Sequence, residues 1–209
     1  MTRITVWLQI AAVIIEFLLP WILKGFYPGY DSRKMAMSVL GSPSSPVSSI
    51  YSAWLIFLGM IISLSSFQYF SALSERTVLA VLTGLSVFLF ALGAGILAGI
   101  FKADADDKMG TLSSRIHGYS SAIGFMALLF FPLLRSAAMF EDRHFMLGTL
   151  YLTAFLGALL FFILFIMSDK ERYKGTWVDR EGAWERLTLL FMYLPLAADS
   201  FIILMSVSA

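Results

Sequence analysis

The sequence predicts an all-α polytopic integral membrane protein: a single six-helix transmembrane bundle with both termini on the same side of the bilayer. Three observations predict it. Of 209 residues, 59% are hydrophobic and only 14% charged, with a mean hydropathy of +0.81, whereas a water-soluble domain carries roughly 45–50% apolar and about 25% charged residues. Six apolar runs approach the roughly 20 residues that a helix needs to cross a hydrocarbon layer about 30 Å thick. The charge is gathered in the segments between those runs, and an even number of crossings returns the chain to the face it left.

The first run, Ile4–Leu23, carries Glu16 and ends near Pro20 and Trp21. It is too long for the apolar core of a signal peptide and no small-x-small cleavage site closes it, so a retained helix is expected. The polar segment Lys24–Ser49 follows. Within it Asp31 or Ser32 is expected to cap a short, partly apolar helix through Leu40, stopped by Gly41 and suited to lie over the bundle mouth. Gly41-Ser-Pro-Ser-Ser-Pro46 is then turn chemistry, because its prolines lack the amide proton a helix would need. The second run is Ile50–Phe70 and Ser71–Arg76 a short turn. The third run, Thr77–Phe101, carries small residues at Ala91, Gly95 and Gly99, and the fourth, Ile116–Leu134, repeats the pattern at Ser120 and Gly124. Such stripes let helix backbones approach closely in lipid, and they read here as contact faces within the chain.

Between the third and fourth runs lies the densest polar loop, Lys102–Arg115. Arg135–His144 is read as the next short turn, Phe145–Met167 as the fifth helix, Ser168–Ala183 as a solvated loop, and Trp184–Val207 as the sixth helix, with Asp199 inside it. The three long polar segments therefore share one face and the short turns share the face of the termini.

Composition excludes several kinds of chemistry. A net charge of +1 argues against a nucleic-acid partner, and the absence of cysteine excludes disulfides, thiolate metal sites and cysteine nucleophiles. The two histidines, His117 and His144, stand at opposite ends of the fourth helix, about 27 Å apart, and cannot share a metal ion. No metal and no cofactor is expected. Every lysine lies at or beyond a helix end, which leaves no buried amine for a Schiff base, and no serine sits in a Gly-x-Ser-x-Gly elbow.

The charged residues that remain are the candidates for function. Glu16 and Asp199 lie within apolar runs with no cation expected at matching depth, and intramembrane carboxylates cost at least a few kcal/mol unless protonated, paired or hydrated. His117 stands at the long-loop mouth near Arg115 and Asp104, where an imidazole–carboxylate pair would titrate near neutral pH. Glu185 and Arg186 open the sixth helix beside Trp184, a place where arginine can hold a phosphate or carboxylate headgroup.

Several short stretches carry a resemblance. Tyr27-Pro-Gly-Tyr-Asp31 with Ser38-Val-Leu-Gly-Ser-Pro43, Phe101-Lys-Ala-Asp104 with Ile116-His-Gly118, and Gly182-Ala-Trp-Glu-Arg-Leu187 together resemble the six-helix membrane family known as domain of unknown function 998. The resemblance spans nearly the whole chain. It departs from the family pattern at Lys102, where proline is expected, and in a longer acidic insert at Asp104–Lys108. It implies no activity. It does imply cytoplasmic termini and long loops outside the plasma (inner) membrane. Ten Lys and Arg on the long-loop side against four on the other would point the opposite way, but the long-loop side is nearly three times as long, so basic density does not decide orientation.

Three functions follow as expectations. The leading one is a non-enzymatic membrane protein that binds or moves a small or lipid-like ligand in a cavity open on the long-loop face, with Asp104, Arg115, His117, Glu185 and Arg186 as its ligand-binding residues. The alternatives are a proton-coupled transporter using Asp199 and Glu16, and an intramembrane enzyme acting on lipid through Asp104 and His117. Membrane lipids are the expected partners. The oligomeric state is not legible in the sequence.

Overall fold

A computed structural model of the chain describes residues 3–70, 77–104 and 110–206. It is all-helical over those residues, with no strand among them, and six of its helices are long and apolar enough to cross a membrane. We label them α1 (Arg3–Leu23), α2 (Ser48–Phe70), α3 (Thr77–Phe90, continued by Ala91–Leu97 and a last turn Ala98–Ile100), α4 (Leu112–Glu141), α5 (Phe145–Ser168) and α6 (Glu181–Ser206). Each packs against its neighbours in sequence, and α6 closes on α1, so the six form a ring. The expected turn Ser71–Arg76, the insert residues 105–108 and the end of the last run at Val207 lie outside the described residues.

α4 departs most from the sequence reading, running from Leu112 to Glu141 rather than from Ile116 to Leu134. Its start is set by Thr111, whose side chain accepts a hydrogen bond from the Ser114 amide, satisfying a donor that has no partner within the helix. Its end is a Schellman-type turn. Arg143 takes φ +60° and the His144 amide returns to the Met139 carbonyl at 2.8 Å. Glycine usually fills that left-handed position. An arginine there gives no stop signal, so the connection shrinks to Asp142–His144 and Arg135 lies inside the helix.

α3 differs in another way. Residues Ala91–Leu97 wind as a π-helix, a wider turn found mostly in short insertions within α-helices. This is the segment pressed between two neighbours. A Cβ on Gly95 would stand 2.6 Å from Gly59 Cα of α2, and one on Gly124 of α4 would stand 2.9 Å from the Ala94 amide. The small-residue stripes are thus contact faces inside the bundle, where backbone approaches backbone.

The first long loop is not α-helical. Asp31 Oδ1 accepts from the Arg33 amide, and a 3-10 turn covers Met37–Gly41. The Pro43 and Pro46 turns then lead into α2. This loop docks on the start of α6: the Ala183 amide donates to the Arg33 carbonyl at 2.9 Å, and the Met37 amide donates to Glu185 Oε2 at 2.6 Å.

Candidate functional site

The ring encloses two cavities, each of about 520 Å³, at opposite ends of its axis. The upper one, at the long-loop end, takes lining residues from all six helices and from Ala36–Ser38 of the first loop. Most of its wall is apolar, formed by Leu55, Leu58, Phe90, Ala94, Phe125, Phe162, Phe165 and Leu189. Its polar groups are Glu16, Tyr51, His117, Ser121, Asp169, Glu181 and Glu185. Met126 of α4 and Ile166 of α5 also line it, and they are 44% and 46% exposed.

The lower cavity, towards the termini, is lined by Gln68, Tyr69, Thr83, Arg135, Asp142, His144 and Asp199 with apolar neighbours. Between the two lies a fully buried layer. α2 contributes Ile62, α3 Val87, α4 Leu128 and Phe131, α5 Tyr151 and Ala158, and α6 Met192, Tyr193 and Leu196. Each of those positions falls, along its own helix, between a residue of the upper cavity and one of the lower.

The two intramembrane carboxylates stand at different depths. Glu16 is seven residues from the upper end of α1 and Asp199 seven from the lower end of α6, each about 10 Å inside its nearer end. The expectation that neither faces a cation fails for Asp199. Arg135 donates to it through Nε at 2.7 Å and Nη2 at 2.9 Å, while the Tyr69 and Tyr151 hydroxyls donate at 3.1 and 2.8 Å. Four donors complete the carboxylate, which makes it a structural tie among α2, α4, α5 and α6. Sequence reasoning missed Arg135 because it ended α4 at Leu134, seven residues short of Glu141. The signal was present: no Gly or Pro interrupts the chain between Leu133 and Phe145.

Glu16 is 2% exposed and its Oε2 accepts from Trp54 Nε1 at 2.5 Å. Its Oε1 meets no donor among the described residues. Tyr51, also 2% exposed, lines the cavity with a hydroxyl that makes no hydrogen bond to a described residue. His117 places Nδ1 2.9 Å from the Phe101 carbonyl and 3.2 Å from that of Ala98. Carbonyls only accept, so Nδ1 carries the proton, and in the neutral ring Nε2 is an acceptor.

The other charged residues singled out by sequence sit outside the lining of the upper cavity. Arg186 donates to the Ser32 and Gly182 carbonyls and to the Tyr30 hydroxyl at 2.7–2.8 Å, clamping the first loop to α6. Burial pushes the Tyr30 hydroxyl up to about 12, against the pull of the Arg186 charge, so it stays protonated and donates to the Ala36 carbonyl at 3.1 Å. Asp104 receives the Thr111 amide and hydroxyl at 3.1 and 3.0 Å, which hold its carboxyl below the usual range, the amide bond most of all. Neither oxygen reaches His117 in any described hydrogen bond. Arg115 is exposed on the first turn of α4. Sequence reasoning therefore brought His117 and Glu185 to one cavity and missed Tyr51, Ser121 and the placing of Glu16 there. Among the described residues no three His, Asp or Glu side chains gather closely enough to hold a metal ion.

The family model described as protein of unknown function (DUF998) matches residues 10–201 of the chain. No curated protein and no solved structure matches it.

Proposed function

The chain belongs to the DUF998 family of proteins of unknown function, and from that premise we propose that this membrane protein binds an amphipathic small molecule or lipid in its upper cavity. The observation that carries this reading is the cavity itself: about 520 Å³, apolar over most of its wall, with Glu16 set among the apolar residues and Asp169, Glu181 and Glu185 towards the long-loop end. Ligand sites are typically a few hundred to about 1,000 Å³, apolar with a few placed polar groups. The fold would then present the long loops outside the plasma membrane and both termini to the cytoplasm. Filling the cavity tests the binding reading. Ser121→Phe, on the lining of α4, is expected to abolish retention of co-purified or added amphiphile in native mass spectrometry while leaving the thermal midpoint near that of the parent. Undiminished retention would count against the cavity as the site.

A second reading, proton-coupled movement through the ring, is favoured by the lower cavity on the same axis and by the Tyr193 hydroxyl. That hydroxyl lies buried in the separating layer without a hydrogen-bond partner among the described residues. In this reading Glu16 carries the proton, and Asp199, held by Arg135, anchors the helices that move. Glu16→Gln cannot change charge, so it is expected to make flux of a bound amphiphile in proteoliposomes independent of an imposed pH gradient. Flux that still follows the gradient would remove Glu16 from that role.

A further inference from the structure

We infer that the upper cavity selects a lipophilic cation, a protonated amine or quaternary ammonium on an apolar body. This inference rests on the reading of that cavity as a ligand site and names its ligand class. The first support is the sign of the lining. Among the described residues, every ionisable side chain on the cavity wall other than His117 and Tyr51 is a carboxylate, at Glu16, Asp169, Glu181 and Glu185, and none is lysine or arginine. The nearby bases are turned to other work: Arg186 binds the Ser32 and Gly182 carbonyls, and Lys102 donates to Ser48 Oγ at 2.8 Å.

The second support is what the buried groups still offer. Glu16 Oε1 and the Tyr51 hydroxyl are nine-tenths buried on the cavity wall without a partner among the described residues. His117, with Nδ1 committed to carbonyls, presents an acceptor at Nε2. The wall's donors are neutral hydroxyls, Ser38, Tyr51 and Ser121, and no cationic donor faces the four carboxyl groups, so the charge of a phosphate or sulfate head would go uncompensated where water is excluded. An ammonium meets the same wall as a complement. The rings of Phe90, Phe125, Phe162 and Phe165 supply the rest, since aromatic faces attract cations as well as apolar surface.

Tetraphenylphosphonium and tetraphenylborate, close in shape and opposite in charge, separate charge preference from apolar fit. Equilibrium dialysis against the purified full chain in a neutral maltoside detergent, with micelle partitioning subtracted, is expected to show saturable phosphonium binding. That binding should be about tenfold or more tighter than borate binding, and weakened about tenfold in Glu16→Gln. Ser121→Lys, which adds a cation to the wall and replaces none of the four carboxyl groups, is expected to remove phosphonium binding and spare binding of a neutral monoacylglycerol. It keeps the test decisive if the Glu16 variant does not fold. Equal or tighter binding of borate overturns the cation inference and leaves the ligand site standing, as does binding of monoacylglycerol alone or phosphonium binding that Ser121→Lys leaves intact. Failure of all three probes to bind overturns both.

Discussion

Asp199 shows how one side chain changes meaning with its partner. Alone in an apolar helix it reads as a titrating or transporting group. Bound by the guanidinium of Arg135 and two tyrosine hydroxyls, it is a strut. Breaking a buried pair by removing one member costs about 3–5 kcal/mol because a charge is left without its counterpart, while replacing both members by apolar groups can be nearly neutral. Thermal unfolding in detergent is therefore expected to show Asp199→Leu and Arg135→Leu each strongly destabilised and the double variant substantially recovered. A double variant at the sum of the two losses would mean that they do not act as a pair. Glu16, with a tryptophan N–H and no cation in hydrogen-bond contact, keeps the ambiguity that the sequence suggested. The difference is the partner: α4 continues to Glu141 and carries Arg135 to Asp199, and an α4 ended at Leu134 hides it.

At the scale of the helix, the π segment of α3 follows from the crowding on both its sides. The glycine and alanine pattern of Ala91–Leu97 announces close contact, and the structure puts α2 and α4 there. The wider winding itself leaves no mark in hydropathy, because it changes the turn and not the residue types. A Cβ on Gly59 would meet the Ala91 carbonyl at 2.6 Å and the Ile96 amide at 2.7 Å, both backbone atoms that cannot swing aside. Gly59→Leu is expected to lower stability by about 2–4 kcal/mol through forced separation of α2 from α3, measured as a fall in the thermal midpoint. The same change at Gly25, whose Cβ would meet nothing within 4 Å, should change stability by no more than about 0.5 kcal/mol.

For the whole molecule, the number of spans and the sorting of long from short connections were legible because hydrocarbon thickness imposes a length on every crossing. The ring and its lumen were not. In lipid a helix is apolar both where it faces its neighbours and where it faces the bilayer, so no amphipathic stripe points to the interior. The absence of cysteine makes the arrangement easy to test with single substitutions. Thr176→Cys, in the exposed loop after α5, is expected to react with an impermeant maleimide on intact cells, and Glu141→Cys, at the end of α4, only after the membrane is opened. The reverse pattern would invert the orientation proposed for the family.

Glu185 belongs to two structures at once: its carboxylate faces the upper cavity, and its Oε2 fastens the Met37 amide of the loop that covers that cavity. A positively charged guest settling near this carboxylate would draw off part of the negative potential that keeps the amide in place. The latch is thus written into the binding wall, and the roof would slacken as the chamber fills.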